Sequence, residues 1–211
     1  MKALLKKLLP LTLFAIAVTS LFSVQPAQAF TITLKEVGSN VVANGSGAFN
    51  VTGLTKEAGM FSTTTGIDGS AGFILTGTPG QTPFLDGYFG LTGPTNFGSG
   101  FFFPPDTGSG DFVGIFLISG ARHIFVPAGY VSGTALSDSM TFNNKTFASL
   151  GVTPGTYVWS WGTGLRNQNF TLIIRGAGVP DGGSTVSLLG FGLLGLAALR
   201  LKLPLLRRAK S

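Results

Sequence analysis

The sequence predicts an all-β protein, an antiparallel β-sandwich of the jelly-roll kind, with an N-terminal signal helix and a C-terminal transmembrane helix. Between residues 30 and 178, many short apolar runs are separated by Gly, Pro, Asn or Asp, which is typical of short strands and turns. No window of about ten residues in this region combines helical periodicity with helix caps. A β-solenoid is the weaker alternative, because no fixed repeat period is present.

The predicted strands follow one another at short spacing along this region. The first alternates polar and apolar residues over 31–34. The dipeptide Asn44-Gly45 lies between two apolar runs, 41–43 and 48–51, and predicts a hairpin turn. A short turn of helix is expected within 145–150. The other predicted strands are 72–76, 101–103, 112–119, 123–126, 140–142, 156–161 and 170–174.

The charged residues are distributed very unevenly along the chain of 211 residues. Its net charge is +6, from 14 Lys and Arg against 8 Asp and Glu. Within 30–178 the cations stand singly and far apart, whereas nucleic-acid binding requires clustered cations that contact several phosphates. The chain also has no cysteine, which excludes disulfides, cysteine-based zinc sites and thiol nucleophiles. The terminal cations are Lys2, Lys6, Lys7, Arg200, Lys202, Arg207, Arg208 and Lys210.

The segment 1–29 has the three parts of a secretory signal peptide. A basic start precedes an apolar run, and the segment ends in Ala27-Gln28-Ala29, the small-residue pattern that precedes signal peptidase cleavage. The mature chain is therefore predicted to begin at Phe30. An uncleaved anchor helix is the alternative.

The segment 179–211 combines an apolar run with a basic end. The uncharged stretch 186–199 would measure about 21 Å as a helix, and extension to residue 206 gives about 31 Å. The longer span matches a hydrocarbon core of roughly 30 Å if the cations at its end reach the headgroups. The basic end should face the cytoplasm, which places the domain 30–178 outside the inner membrane. A core helix of the domain is the alternative.

The same C-terminal segment resembles a known class of sorting signals. The order of a short motif, a hydrophobic stretch and a basic end is similar to the PEP-CTERM class, specifically its V-P-D-S-G variant. The resemblance implies recognition by an exosortase-type processing enzyme and transfer to the surface of bacteria that make exopolysaccharide. An ordinary linker before a permanent anchor is the alternative. The motif residues are Val179, Pro180, Asp181, Gly182, Gly183, Ser184 and Thr185.

Three aromatic residues alternate near the end of the predicted domain. Tyr157, Trp159 and Trp161 share one face of a strand at period two. The segment 153–162 resembles the P-G-T-Y-x-W-x-W-G ending common in PEP-CTERM ectodomains. Such a face is either a platform on which sugar rings stack or a strand buried in the core, and the second interpretation is favoured.

Catalytic and metal-binding patterns are sparse. The D-T-G-S motif at 106–109 is that of an aspartic protease, but it occurs once, so a carboxylate dyad would require a dimer. His123, the only histidine, is expected to be a structural strand residue. Asp106 and Asp111 could contribute to a weak calcium site, although the usual ligand ladder is missing. We expect no cofactor and no metal.

These features together predict a non-enzymatic exported protein of the cell surface or extracellular matrix, associated with exopolysaccharide. A carbohydrate-binding module that uses the aromatic strand is the alternative, and a dimeric acid protease is the remote one.

Overall fold

The computed structural model describes residues 28–57, 61–118 and 120–176. They form two six-stranded β-sheets packed face to face, which confirms the prediction of an all-β fold. The elements are β1 (Phe30–Val37), β2 (Asn40–Gly47), β3 (Thr55–Lys56), β4 (Gly66–Asp68), β5 (Phe73–Leu75), β6 (Leu85–Phe89), β7 (Thr107–Gly110), β8 (Gly114–Ile118), β9 (Ala121–Pro127), β10 (Leu136–Phe142), α1 (Phe147–Leu150), β11 (Gly155–Ser160) and β12 (Asn169–Arg175).

The strand order departs from the jelly-roll expectation. The first sheet has the order β11-β12-β1-β2-β10-β7 and the second the order β3-β6-β9-β8-β5-β4. Among the described strands, β1 and β12 pair in parallel and the other neighbours pair antiparallel. A jelly roll divides eight strands between its sheets. Parallel neighbours need a long connection, and here the whole sandwich between its first and last strands supplies it.

The main core lies between the two sheets and follows from the two-residue period of the strands. In β1, Phe30, Ile32 and Leu34 point inward and are buried, while the residues between them are partly exposed. Isoleucines from β5, β8 and β9 of the second sheet belong to the same cluster. Burying each such side chain contributes about 1.5–3 kcal/mol to stability, which allows a core without disulfides.

A second apolar layer covers the outer face of the second sheet. Phe73, Leu75 and Phe125 alternate with residues of the main core, so they point away from the first sheet. Loop phenylalanines pack onto this face where the strands carry glycine. A Cβ on Gly66, for instance, would collide with the ring of Phe102. The second sheet therefore carries buried apolar side chains on both faces.

The hairpin prediction at Asn44-Gly45 is wrong. Strand β2 continues through both residues, and the turn lies at Gly38-Ser39, where Gly38 has a φ of 62°. Gly45 is opposite Asp138 of β10, and a Cβ on it would collide with the Asp138 carboxylate. The glycine therefore makes room for a neighbouring side chain.

Substitution of Gly45 by alanine should lower the free energy of unfolding by about 1–3 kcal/mol, the usual cost of overpacking a filled interior. Gly155→Ala is the matched control, because Gly155 also lies in a strand and its Cβ would approach Tyr157 no closer than 3.4 Å. Chemical denaturation of both variants measures the difference. Equal stability of the two variants would contradict the packing role of Gly45.

Three further expectations concern local structure. The predicted helical turn is present as α1, with a capping box between Thr146 and Ser149. The predicted strand at 101–103 is wrong, since only Phe103 pairs, in an isolated bridge with Ile67. The predicted transmembrane helix, and the signal helix up to residue 27, lie outside the described residues. Within the part of the chain that the structure describes, no helix is long and apolar enough to cross a membrane.

Candidate functional site

The aromatic strand that sequence analysis singled out is β11 and its continuation. Trp159 is 0% and Trp161 6% exposed, and both belong to the main core. Each indole N–H donates to a backbone carbonyl, that of Trp159 to Pro94 O at 2.9 Å and that of Trp161 to Asn50 O at 2.8 Å.

Tyr157 is half-buried against the ring of Phe97, and its hydroxyl donates to Thr153 O at 3.0 Å. The shared face of the three aromatic residues therefore points into the sandwich. The core interpretation fits this arrangement. In this arrangement the two indoles are not accessible to a sugar.

The last three residues of the D-T-G-S motif belong to the edge strand β7 and not to a catalytic loop. Asp106 lies just before β7 and accepts a hydrogen bond from the backbone N–H of Asn143 at 2.6 Å. Asp111 lies just after it and accepts one from the N–H of Ser137 at 2.8 Å. The two carboxylates thus tie opposite ends of β7 to β10. They do not converge on a calcium ion, because an extended strand separates them.

His123 lies on the outer face of the second sheet, where it is buried among aromatic rings. Its ring centroid is 5.5 Å from that of Phe89 and 6.0 Å from that of Phe125. Nδ1 is 3.0 Å from the carbonyl oxygen of Ala121, and Nε2 is 2.5 Å from a carboxylate oxygen of Glu57. Both ring nitrogens thus face protein groups, which fits the expected structural role.

Asp138 is the unusual polar residue of the interior, and sequence analysis did not identify it. It lies on β10 between Leu136 and Met140, points into the core and is 7% exposed. Neither carboxylate oxygen has a hydrogen bond of adequate geometry to any described residue. The hydroxyl of the nearby Thr76 donates instead to Val113 O, at 2.8 Å.

This environment favours the neutral acid. Burial raises the pKa of Asp138 to about 7, weak interactions with Thr76 and the backbone of Gly45 oppose the rise, and the negative charge of Asp111 adds to it. A buried carboxyl that titrates near neutral pH makes the stability of the sandwich dependent on pH.

A cavity opens on the outer face of the second sheet. The strand register places Phe89, His123, Phe116, Phe73 and Asp68 in one row across β6, β9, β8, β5 and β4. Phe73 is central to this row, since its ring meets that of Phe116 edge-on at 5.0 Å and that of Phe102 at 5.8 Å. The cavity lies at the Asp68 end of the row.

This outer-face cavity has a volume of about 230 Å³. Phe102 is 42% exposed there, so part of its ring remains open to solvent. An apolar concavity with a few polar groups is the usual form of a small-ligand site. The residues lining it are Thr63, Asp68, Ala71, Phe73, Phe102 and Phe116.

The sequence contains the aromatic residues of this cavity but does not show that they converge. Strand periodicity places Phe73 and Phe116 on strands, yet it does not tell which face of the sheet another strand covers. The loop 101–103, which covers this face of the sheet, is even less predictable, because its composition is that of a strand. The signal that was available is the local excess of phenylalanine at 101–103 beside the glycine-rich 98–100.

The predicted signal-peptide junction coincides with the start of the sheet. Ala29 forms an isolated bridge with Ala48, and Phe30 begins β1 and is fully buried. Residue 27 lies outside the described residues, so the cleavage site Ala27-Gln28-Ala29 stays a prediction.

The fold and its C-terminal continuation define a class of protein. A β-sandwich ends with β12 at Arg175, and a segment with the order of a surface-sorting signal follows at once. Residues 178–203 match the model of the VPDSG-CTERM motif, a PEP-CTERM-like sorting signal for exosortase-type enzymes. The match confirms the resemblance described above and indicates an exported, surface-sorted protein. Searches of curated proteins and of solved structures gave no match.

Proposed function

We propose that this chain is a non-enzymatic protein of the bacterial surface or extracellular matrix, associated with exopolysaccharide. An exosortase-type enzyme processes its sorting segment 178–203 and so delivers the β-sandwich to the exterior. The observation that carries the proposal is the VPDSG-CTERM motif, which begins three residues after the last strand ends at Arg175.

The chemistry of the sorting segment supports this route. Pro180 and the pair Gly182-Gly183 have low intrinsic preference for helix and strand, which suits a motif that a processing enzyme must reach. The segment 186–206 has the length of a bilayer span if Arg200 and Lys202 reach the headgroups, and the basic residues that follow would face the cytoplasmic side. The inner membrane would thus hold the chain until the enzyme acts.

The composition of the sandwich fits an extracellular structural role. Its core holds together without disulfides, and the carboxylates of Asp106 and Asp111 are used to fasten backbone amides at the ends of β7. The described residues contain no group of three His, Asp or Glu side chains arranged to hold a metal ion. Carboxylates are side chains that a catalytic site would need, and here those of Asp106 and Asp111 bind backbone amides instead. The proposal of a non-enzymatic protein rests on this structural use.

The double substitution Pro180→Ala and Asp181→Ala should stop processing of the sorting segment. In a host that carries the cognate exosortase-type enzyme, we expect wild-type protein in the extracellular fraction with a shortened C-terminus. The variant should stay in the membrane fraction at its longer mass. Fractionation and mass spectrometry of the C-terminus measure both outcomes.

The matched control for this experiment is Pro104→Ala, at an exposed position of the sandwich. It should be exported and processed as the wild type is. Deletion of the host's exosortase-type gene should reproduce the variant's behaviour in the wild-type chain. If the wild-type chain kept its full C-terminus in the presence of the enzyme, or left the membrane without it, the proposal would be wrong.

A further inference from the structure

We propose that the outer-face cavity binds a neutral sugar ring of a polysaccharide. The inference rests on the proposed function for the source of the ligand, an extracellular polysaccharide. The binding itself follows from the geometry of Phe73, Phe102, Phe116 and Asp68.

The apolar part of the cavity suits the C–H face of a pyranose. The rings of Phe73 and Phe102 are tilted by 45° and those of Phe73 and Phe116 by 80°, so together they form a cup. The half-exposed ring of Phe102 would be covered by the ligand, which removes apolar surface from water. An aromatic ring contributes such contacts with little loss of side-chain entropy.

The polar part of the cavity suits hydroxyl groups. Asp68 contributes a carboxylate and Thr63 a hydroxyl to the lining. A carboxylate accepts strong hydrogen bonds from hydroxyl donors, and it repels an anionic ligand. None of the lining residues is a cation, and the guanidinium of Arg122 next to the lining is already bonded to the backbone carbonyls of Ala71 and Gly72. A neutral sugar therefore fits better than an acidic one.

The cavity is held in shape before any ligand arrives. Oδ1 of Asp68 accepts hydrogen bonds from the hydroxyl of Ser70 and the N–H of Ala71, both at 2.9 Å. Arg122 donates to the carbonyl oxygens of Ala71 and Gly72, at 3.2 and 3.0 Å. These bonds fix the loop that carries Ala71, so binding would cost little ordering.

The opposite wall is also anchored. Phe103 and Ile67 exchange two backbone hydrogen bonds, of 2.8 and 3.0 Å, which fasten the loop of Phe102 beside β4. The ring of Phe102 can then lie over Gly66, since that residue has no side chain. Phe102 is thus positioned by the fold and still partly open to solvent.

The cavity and the last described strand lie on different sheets. β12 belongs to the first sheet, whereas the cavity is on the face of the second sheet that points away from the first.

The test is a calorimetric titration of the full chain in detergent micelles with cellohexaose, laminarihexaose and mannohexaose. An acidic oligosaccharide and an apolar dye are titrated in the same way for comparison. We expect at least one of these neutral sugars to bind. Phe102→Ala should weaken that binding about tenfold, because the apolar surface of its ring would no longer be covered by the ligand. Asp68→Asn should also weaken it, by up to about tenfold, because a hydrogen bond to a charged acceptor becomes one to a neutral amide oxygen. Thermal unfolding of each variant verifies that the sandwich is intact.

The matched control is Phe101→Ala, since Phe101 is 79% exposed and does not line the cavity. It should bind the sugar as the wild type does. The inference would be overturned if none of the three sugars bound, or if the variants of Phe101 and Phe102 lost affinity equally. It would also be overturned if only an acidic oligosaccharide or an apolar dye bound. A failure of sorting in cells would leave this titration unchanged, so the two proposals fail separately.

Discussion

Replacement of Trp159 by alanine should lower the free energy of unfolding by about 3–5 kcal/mol, the usual cost of removing a large buried ring. Trp159 is completely buried, its ring lies 5.6 Å from that of Phe170, and its N–H is bonded to Pro94 O. In a domain of this size, the midpoint of thermal unfolding should fall by roughly 10 °C. Calorimetry or thermal circular dichroism measures the change.

Two companion variants separate packing from other causes. Trp159→Phe keeps most of the apolar contact but removes the hydrogen bond to Pro94, so its loss of stability should be smaller. Val158→Ala changes a neighbour that is 43% exposed, and it should cost less than about 1 kcal/mol. A Trp159→Ala variant as stable as the wild type would contradict the core assignment and restore the surface platform.

Several strands could be predicted from the alternation of polar and apolar residues. The pairing of the strands could not be predicted. The patterns at 31–34, 140–142 and 170–174 lie within β1, β10 and β12. Whether Asn44-Gly45 is a turn depends on β10, more than ninety residues further along, because its Asp138 needs the space that Gly45 leaves. Local turn propensity could not show this long-range contact.

The short strands were missed for a related reason. Strand β7 is T-G-S-G and has no apolar pattern, so it is a strand only because β10 is there to pair with it. The two residues of β3 likewise pair only with β6. Edge strands of this kind form because of the strands they pair with. The pattern of a single sequence does not reveal that pairing.

The candidate sites also differ in whether their signal is local in the sequence or depends on long-range contacts. The sorting segment could be identified from sequence because its signal is local and ordered along the chain. The outer-face cavity joins residues from 63 to 116 and depends on which face of the second sheet each side chain occupies. Asp138 could not be found either, since a single Asp in a polar-looking run L-S-D-S-M gives no sign that its face is buried.

The free energy of unfolding should fall by on the order of 4 kcal/mol as the pH rises from about 4 to about 7, because of Asp138. Its pKa is raised from the usual 3.8 to about 7 by burial, so the folded state holds a proton that the unfolded chain has released. The contribution is fully present below about pH 4, declines through this interval and is lost above the folded-state pKa.

The substitution Asp138→Asn should remove this dependence, because the amide has the same shape and does not titrate. Other carboxyls also affect stability. Burial tends to raise the pKa of Asp86, but hydrogen bonds from Lys56 and from the backbone of Gly129 outweigh it and lower the pKa, so the contribution of Asp86 has the opposite sign. The difference between wild type and variant, measured by denaturant unfolding at several pH values, cancels such terms and isolates Asp138.

The control for this experiment is Ser137→Ala, because Ser137 is an exposed neighbour of Asp138 on β10 and carries no titrating group. It should keep the pH dependence of the wild type. A difference curve for Asp138→Asn that is flat from about pH 4 to about pH 7 would mean that water reaches the carboxylate. A slope confined to Asp138 would instead show that the protonated form of this carboxyl is the stable one in the space that Gly45 leaves.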